Sequence, residues 1–418
     1  MDQRISRMIA EAEDELGILF EEIDRNEEER TRQVLAAFRE EGVSYRHFAG
    51  TNGYGYDDIG RDTLERIYAR IFHTEAGLMR PHIASGTAAL SLTLFGLTRP
   101  GEHIVSATGM PYDTLLSVIG IGRKPIPGSL KEMGVSFDCA EMKNGKIDLT
   151  AVESLIRHDT TLVIAQRSRG YAWRPSLAPE AFRELAEMVH TKHPGVRLMV
   201  DNCYGEFVRE LEPTDFGADV CVGSLIKNPG GGIAPAGGYV VGRKDDIERI
   251  AGRLTAPGLG RELGSYEASY RPYYQGLFMA PHTVAQALKT AMLTARVFEN
   301  MGLETTPPAM ERRADIIQAI KLETPERLVA FCQGLQAASP VDSMAMPEPW
   351  DMPGYDDPVV MAAGTFVAGA SIELSADGPM RPPYTAYMQG GLTFAHGKIA
   401  LAEVLERMIA GNCLNIDN

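Results

Sequence analysis

Lys227 sits in the stretch VGSLIKNPGGG, between an apolar run ending at Val222 and three consecutive glycines. A primary amine just past a strand end occupies the position where α/β proteins gather their chemistry, and a solvated surface lysine needs no such setting. Such an amine can bond to an aldehyde, be released by an incoming amine, and then move a proton at the neighbouring carbon. Low-dielectric packing there predicts a depressed ammonium pKa, which makes Lys227 a base near neutrality. Upstream, VRLMVDN ends an apolar run on Asp201, a distance that allows one loop and one strand before the lysine. Asp201 alone reads as a turn cap; paired with Lys227 it reads as a carboxylate facing a protonated ring nitrogen.

Two further features fall at the ends of strand candidates. HIASGTAALSLTLFG has the form strand, Ser85-Gly86-Thr87, helix, so free backbone N–H groups at the helix start make a phosphate site that Gly86 opens to close approach and Ser85 or Thr87 supplements with a hydroxyl. The same residues would also serve as an ordinary N-cap. Tyr112, in ATGMPYDTL after the strand EHIVSA, offers a ring that either packs or stacks on a planar group. Amine, carboxylate, phosphate cradle and stacking ring are together what a pyridoxal 5'-phosphate (PLP) site requires.

Elements of a particular kind must carry these residues. From about Leu78 to Val241, short apolar runs (LMRPHIA, EHIVSA, VSFDCA, TLVIAQ, VRLMVD, ADVCVGS, GGYVVG) alternate with helical patterns. That alternation predicts β-α-β units and a doubly wound α/β domain with a mostly parallel sheet. Residues 1–60 read as a helical arm and loop, with Ile9, Leu16, Leu19, Phe20 and Ile23 at helical spacing on a face suited to another subunit. Residues 61–300 read as the large domain and 301–418 as a smaller C-terminal α/β domain, with VVMAAGTFVAGASIEL strand-like. At 418 residues and 44% hydrophobic content, the chain can fill more than one core.

Net charge is −15 with no basic cluster, which argues against nucleic acid and anionic membranes as partners and in favour of a small molecule. The first residues interleave charge with apolar positions, unlike a signal peptide, and no run reaches membrane-spanning length, so a cytoplasmic protein is expected. Five dispersed cysteines without C-x-x-C spacing are read as reduced. His190 and His193 lack companion ligands, and no metal is expected; nucleotide-binding, zinc-protease and serine-hydrolase motifs are absent.

SGTAAL, MPYDTL, VDNCYGEF and SLIKNPGGG, in this order over about residues 50–245, resemble the fold-type-I PLP enzymes of cysteine and methionine metabolism. GYGYDDIGRDTLERIYA, QRSRGYAWRPSL and GSLIKNPGGGIAPAGGYVVG look like the branch known as aluminium-resistance or methionine γ-lyase-like proteins. The resemblance implies a PLP-dependent transferase fold and a carbon–sulfur lyase acting on a sulfur-containing amino acid. It makes Lys227 the Schiff-base lysine, Asp201 the pyridinium partner, Tyr112 the stacking ring, Gly86 and Thr87 part of the phosphate cup, and Ser224 a hydroxyl donor to the phosphate. It further implies a homodimer or homotetramer with shared sites, in which Tyr56 reaches a neighbouring subunit's phosphate. The arginine that usually follows that tyrosine is here Asp58, so Arg61 is the expected substitute. Ile226 replaces a family threonine, and QRSRGY departs from the family pattern. Arg381 in the C-terminal domain, or else Arg169, is expected to bind the substrate carboxylate through its guanidinium fork. An aminotransferase and a non-catalytic PLP- or ligand-binding stress-resistance protein are the competing readings.

Overall fold

Apolar runs flanked by amphipathic helices build, in the computed structural model of the chain, a seven-stranded sheet; the structure describes residues 2–122, 124–352 and 357–414. The strands are β1 (Ala76–Arg80), β2 (His103–Ser106), β3 (Ser136–Cys139), β4 (Thr160–Gln166), β5 (Arg197–Asp201), β6 (Val220–Ser224) and β7 (Gly238–Gly242). Their order is β1-β7-β6-β5-β4-β2-β3. The run from β3 to β6 is parallel, and β7 runs antiparallel to both β6 and β1. β5 and β6 carry near-continuous apolar sequence because helices cover both faces of the sheet. The expected large α/β domain is therefore present.

The three glycines after Lys227 have a packing reason. The turn Asn228–Gly230 presses on the helix Arg271–Asn300. A side chain on Gly231, held at φ +56°, would collide with the Gly276 carbonyl of that helix, and one on Gly276 with the Gly230 carbonyl. Backbone lies against backbone, and the turn that carries the lysine is fixed.

A second, antiparallel sheet follows: β8 (Thr305–Thr306), β9 (Ile317–Lys321), β10 (Val359–Ala362), β11 (Ser375–Pro379) and β12 (Thr385–Gln389), in the order β10-β11-β12-β9-β8. One expectation changes here. VVMAAGTFVAGASIEL holds only the short β10 before irregular backbone, whereas SADGPMRPPYTAYMQGG, which reads as a proline-rich loop, holds β11 and β12. Strand propensity yielded to pairing in the assembled sheet.

The N-terminal helices Gln3–Glu15 and Gly17–Glu40 turn their apolar face inward within the same chain. Ile5, Ile9, Ala12, Leu16 and Phe20 join Phe298, Leu401 and Val404 in the core of the small domain, so this face is not free for a second subunit. Among the described residues no helix is long and apolar enough to cross a membrane. Ile5 is 1% exposed, so Ile5→Ala should lower stability by about 2–4 kcal/mol, measured by denaturant unfolding, if the arm is part of this core.

Candidate active site

Lys227 lies one short turn beyond the end of β6, at the carboxyl edge of the parallel strands, with its Nζ 4.4 Å from the centre of the Tyr204 ring. Burial works to lower its ammonium pKa, but the acidic groups of Cys203, Tyr204, Tyr112 and Asp201 outweigh it, and the net direction is well above the ordinary lysine value. The expected depression is thus corrected: the surroundings are dry, but they are also acidic.

Asp201 ends β5, opposite Val222 of β6, so adjacent parallel strands deliver carboxylate and lysine to the same edge. Burial raises the Asp201 pKa, with Lys227 and the Cys203 N–H, which donates to Oδ1 at 3.1 Å, pulling the other way. The chain then bends sharply through Tyr204 and Phe207, both with positive φ. The Asn228 amide donates to the carbonyls of Tyr204 and Glu206 at 3.0 and 2.9 Å and so ties this bend to the lysine turn. Behind it Glu206 accepts from the Tyr239 hydroxyl at 2.8 Å, leaves its other oxygen without a partner, and is pushed up to about 8 by burial.

Across the cavity Ser85 caps the helix Gly86–Leu97, its Oγ accepting from the Ala88 N–H at 3.0 Å. The capping and phosphate-cradle readings of this segment are compatible, because the N–H groups of the first turn still point to the cavity side of a helix start. A Cβ on Gly86 would stand 3.2 Å from the Ser224 Cβ, 3.6 Å from the Cys203 Sγ and 3.8 Å from the Lys227 Nζ. Gly86 therefore keeps a space open between helix start, lysine and Ser224. The Thr87 hydroxyl bonds the Tyr112 hydroxyl at 3.0 Å and that of Thr114 at 3.1 Å, and the Tyr112 N–H donates to Gln166 at 3.1 Å. The ring is held at both ends. Burial, reinforced by Asp201, raises the Tyr112 phenol well above its ordinary range.

These groups line one cavity of about 330 Å³, together with Gln166, Ser168, Gly170 and Tyr171 from the segment after β4 and Ile317, Gly369, Asp377, Tyr387 and Gln389 from the small domain. Ser85, Gly86, Thr87, Tyr112, Asp201, Ser224 and Lys227 are all brought together as expected. Their chemistry suits PLP: amine, carboxylate, stacking phenol, and a hydroxyl-flanked helix start at which an added methyl group would crowd Ser224.

Four expected residues lie elsewhere. Arg61 is 1% exposed and bonds Asp62 through Nε and the carbonyls of Gly55 and Gly264 through Nη1, so it braces the loop around Tyr56 and lines no part of its own chain's cavity. Tyr56 is exposed beside Tyr54 and lines no part of its own chain's cavity. Arg381 also stands outside the cavity lining, half-exposed and paired with Asp357 at 2.9 Å, because it follows β11 in the turn back to β12. Arg169 is buried just behind the lining residues Ser168 and Gly170; it donates to the Thr306 carbonyl at 2.8 Å while its Nε and Nη2 have no partner, and burial lowers its pKa. Gln166, Cys203, Tyr204 and Asp377 were not legible as cavity residues. For Tyr387 and Gln389 a signal existed, the two-residue alternation of TAYMQ along a strand.

Gly86→Ala should weaken PLP retention by about 10-fold or more, followed by equilibrium dialysis, because a small added group meets well-packed walls. Glu206 gives a second outcome. Its folded pKa lies above the ordinary carboxyl value of 4.5, so between that pH and about 8 the native chain keeps a proton that the unfolded chain loses, and stability falls as pH rises across this window and levels off above it. Glu206→Gln should remove that decline, read as thermal midpoints across pH 5 to 9.

Over residues 5–409 the chain matches the methionine gamma-lyase family. It is 47% identical over 406 residues to the uncharacterized protein YnbB of Bacillus subtilis (strain 168), which spans 97% of this chain and 96% of that one. A carbon–sulfur lyase involved in aluminum resistance from Clostridium novyi NT superposes with a TM-score of 0.94 at 47% identity, over 98% of this chain and 96% of that one. The pyridoxal-5'-phosphate dependent protein YhfS from Escherichia coli shares the fold, with a TM-score of 0.63 at 15% identity over 93% of this chain and 97% of that one. The fold is thus that of fold-type-I PLP enzymes, and the chain belongs to the methionine gamma-lyase family.

Proposed function

We propose that the protein is a PLP-dependent carbon–sulfur lyase acting on a sulfur-containing amino acid. The observation that carries this reading is the convergence of Lys227, Asp201 and the Gly86 helix start on one cavity. The family match and the similarity to a carbon–sulfur lyase point the same way.

The residues divide the work. When bound, PLP supplies an aldehyde for amines and a ring that stores the electron pair left at Cα. The helix start at Gly86 and Thr87, with Ser224, would hold the phosphate. Asp201 would keep the ring nitrogen protonated, and Tyr112, fixed through Thr87 and Gln166, would orient the ring. Lys227 takes the substrate's Cα proton once its amine is free. Arg169 is the better candidate for the substrate carboxylate, since two buried donors without partners form an unfilled fork, whereas Arg381 already has Asp357. Tyr56, exposed on a braced loop, is read as completing the site of a second copy in a homodimer or homotetramer.

Absorbance of the protein with PLP, borohydride reduction and peptide mapping should place a visible band on Lys227. Lys227→Ala should lose the band and lower turnover by about 10³-fold or more. Release of ammonia and thiol from a sulfur amino acid supports elimination. Keto acid without ammonia would indicate transfer, and a band indifferent to every amino acid would indicate a binding protein.

A further inference from the structure

One group in the cavity has no part in the chemistry above. Asp377, on β11 opposite Tyr387 of β12, lines the cavity from the small domain, across from the wall that carries the lysine. The side chains of Tyr171 and Gln389 hydrogen-bond its carboxyl, while Oδ1 is buried without a partner. The two hydrogen bonds only partly offset burial, which pushes the group up to about 6, still anionic at neutral pH.

An anion in the wall of an amino-acid site is informative. It repels the substrate carboxylate, and left alone it retains the cost of a desolvated charge. The substrate's α-amine would be taken up by the PLP aldehyde in place of Lys227 and cannot serve as its counter-ion. What is left to satisfy Asp377 is a second cationic group, carried on the part of the substrate that departs with sulfur.

Resting on the lyase reading, we propose that Asp377 is a specificity-determining residue that receives an ammonium on the leaving thiol, so the preferred substrates are thioether amino acids with an amine on the departing arm. Tyr171 and Gln389 position the carboxylate, and Tyr387 closes that end of the cavity, its hydroxyl donating to the Tyr171 carbonyl at 2.7 Å. Amino acids whose sulfur carries a plain alkyl group leave Asp377 unpaired and react less well.

S-(2-aminoethyl)cysteine and S-propylcysteine differ only in an ammonium against a methyl at the far end, which makes them the probes. The wild type should favour the aminoethyl compound by about 10²-fold in kcat/KM, chiefly through KM, and Asp377→Asn, which keeps the shape of the side chain, should bring the preference within about 3-fold. Dissociation constants from absorbance titration of the PLP-loaded protein should move in parallel. With the Lys227 band present, equal handling of the two compounds by the wild type sinks the assignment and leaves the lyase reading standing. A preference that persists in Asp377→Asn, or an equal loss on both compounds, sinks it likewise. Absence of the band itself overturns both readings.

Discussion

Keeping an ammonium out of bulk water is costly unless an anion faces it, and Lys227 is faced by the Asp201 carboxylate, with Cys203, Tyr204 and Tyr112 gathered around the same amine. Each of those groups is where it is for a reason in the fold. Asp201 and Cys203 stand at and just past the end of β5 because β5 and β6 run parallel and side by side. Tyr204 faces the lysine because the backbone there takes a left-handed turn that Asn228 pins from the other side. Tyr112 reaches in because the strand β2 delivers it to the same edge and Thr87 and Gln166 hold it. Loss of the strand order would leave the lysine an unpaired cation.

The large-domain half of this arrangement was legible in the sequence because its parts are local. A strand that ends on Asp201, a helix that begins at Gly86 and a lysine between a strand and a glycine turn are each written in a few consecutive residues, and strand–helix alternation places them on one edge. The glycine triplet was legible as a turn but not for its cause, since its partner Gly276 lies far along the chain. The direction of the Lys227 pKa was misread for a related reason: burial can be inferred from an apolar run, whereas the acids that outweigh it arrive from separate segments.

Of the small-domain half, only the alternation of TAYMQ was legible. Asp377 and Gln389 meet only because β11 and β12 pair, and the proline-rich sequence between them masks both strands. An arginine was a natural choice for a carboxylate ligand, but Arg381 falls in the turn and finds Asp357, while Arg169, on the segment after β4, lies buried behind the cavity wall. Choosing between two arginines needs their surroundings, and a single sequence carries none. The same holds for Arg61, whose partners at Gly55 and Gly264 lie far apart along the chain.

The helix Arg271–Asn300 has one end against the lysine turn at Gly276 and the other, through Ala291 to Phe298, inside the core shared by the N-terminal arm and the small domain. Thirty residues of helix make a rod of about 45 Å. One helix, interrupted by Pro281 between Gly276 and Ala291, thus contributes to the packing beside Lys227 and to the core under the small sheet, so the two cores are continuous through it.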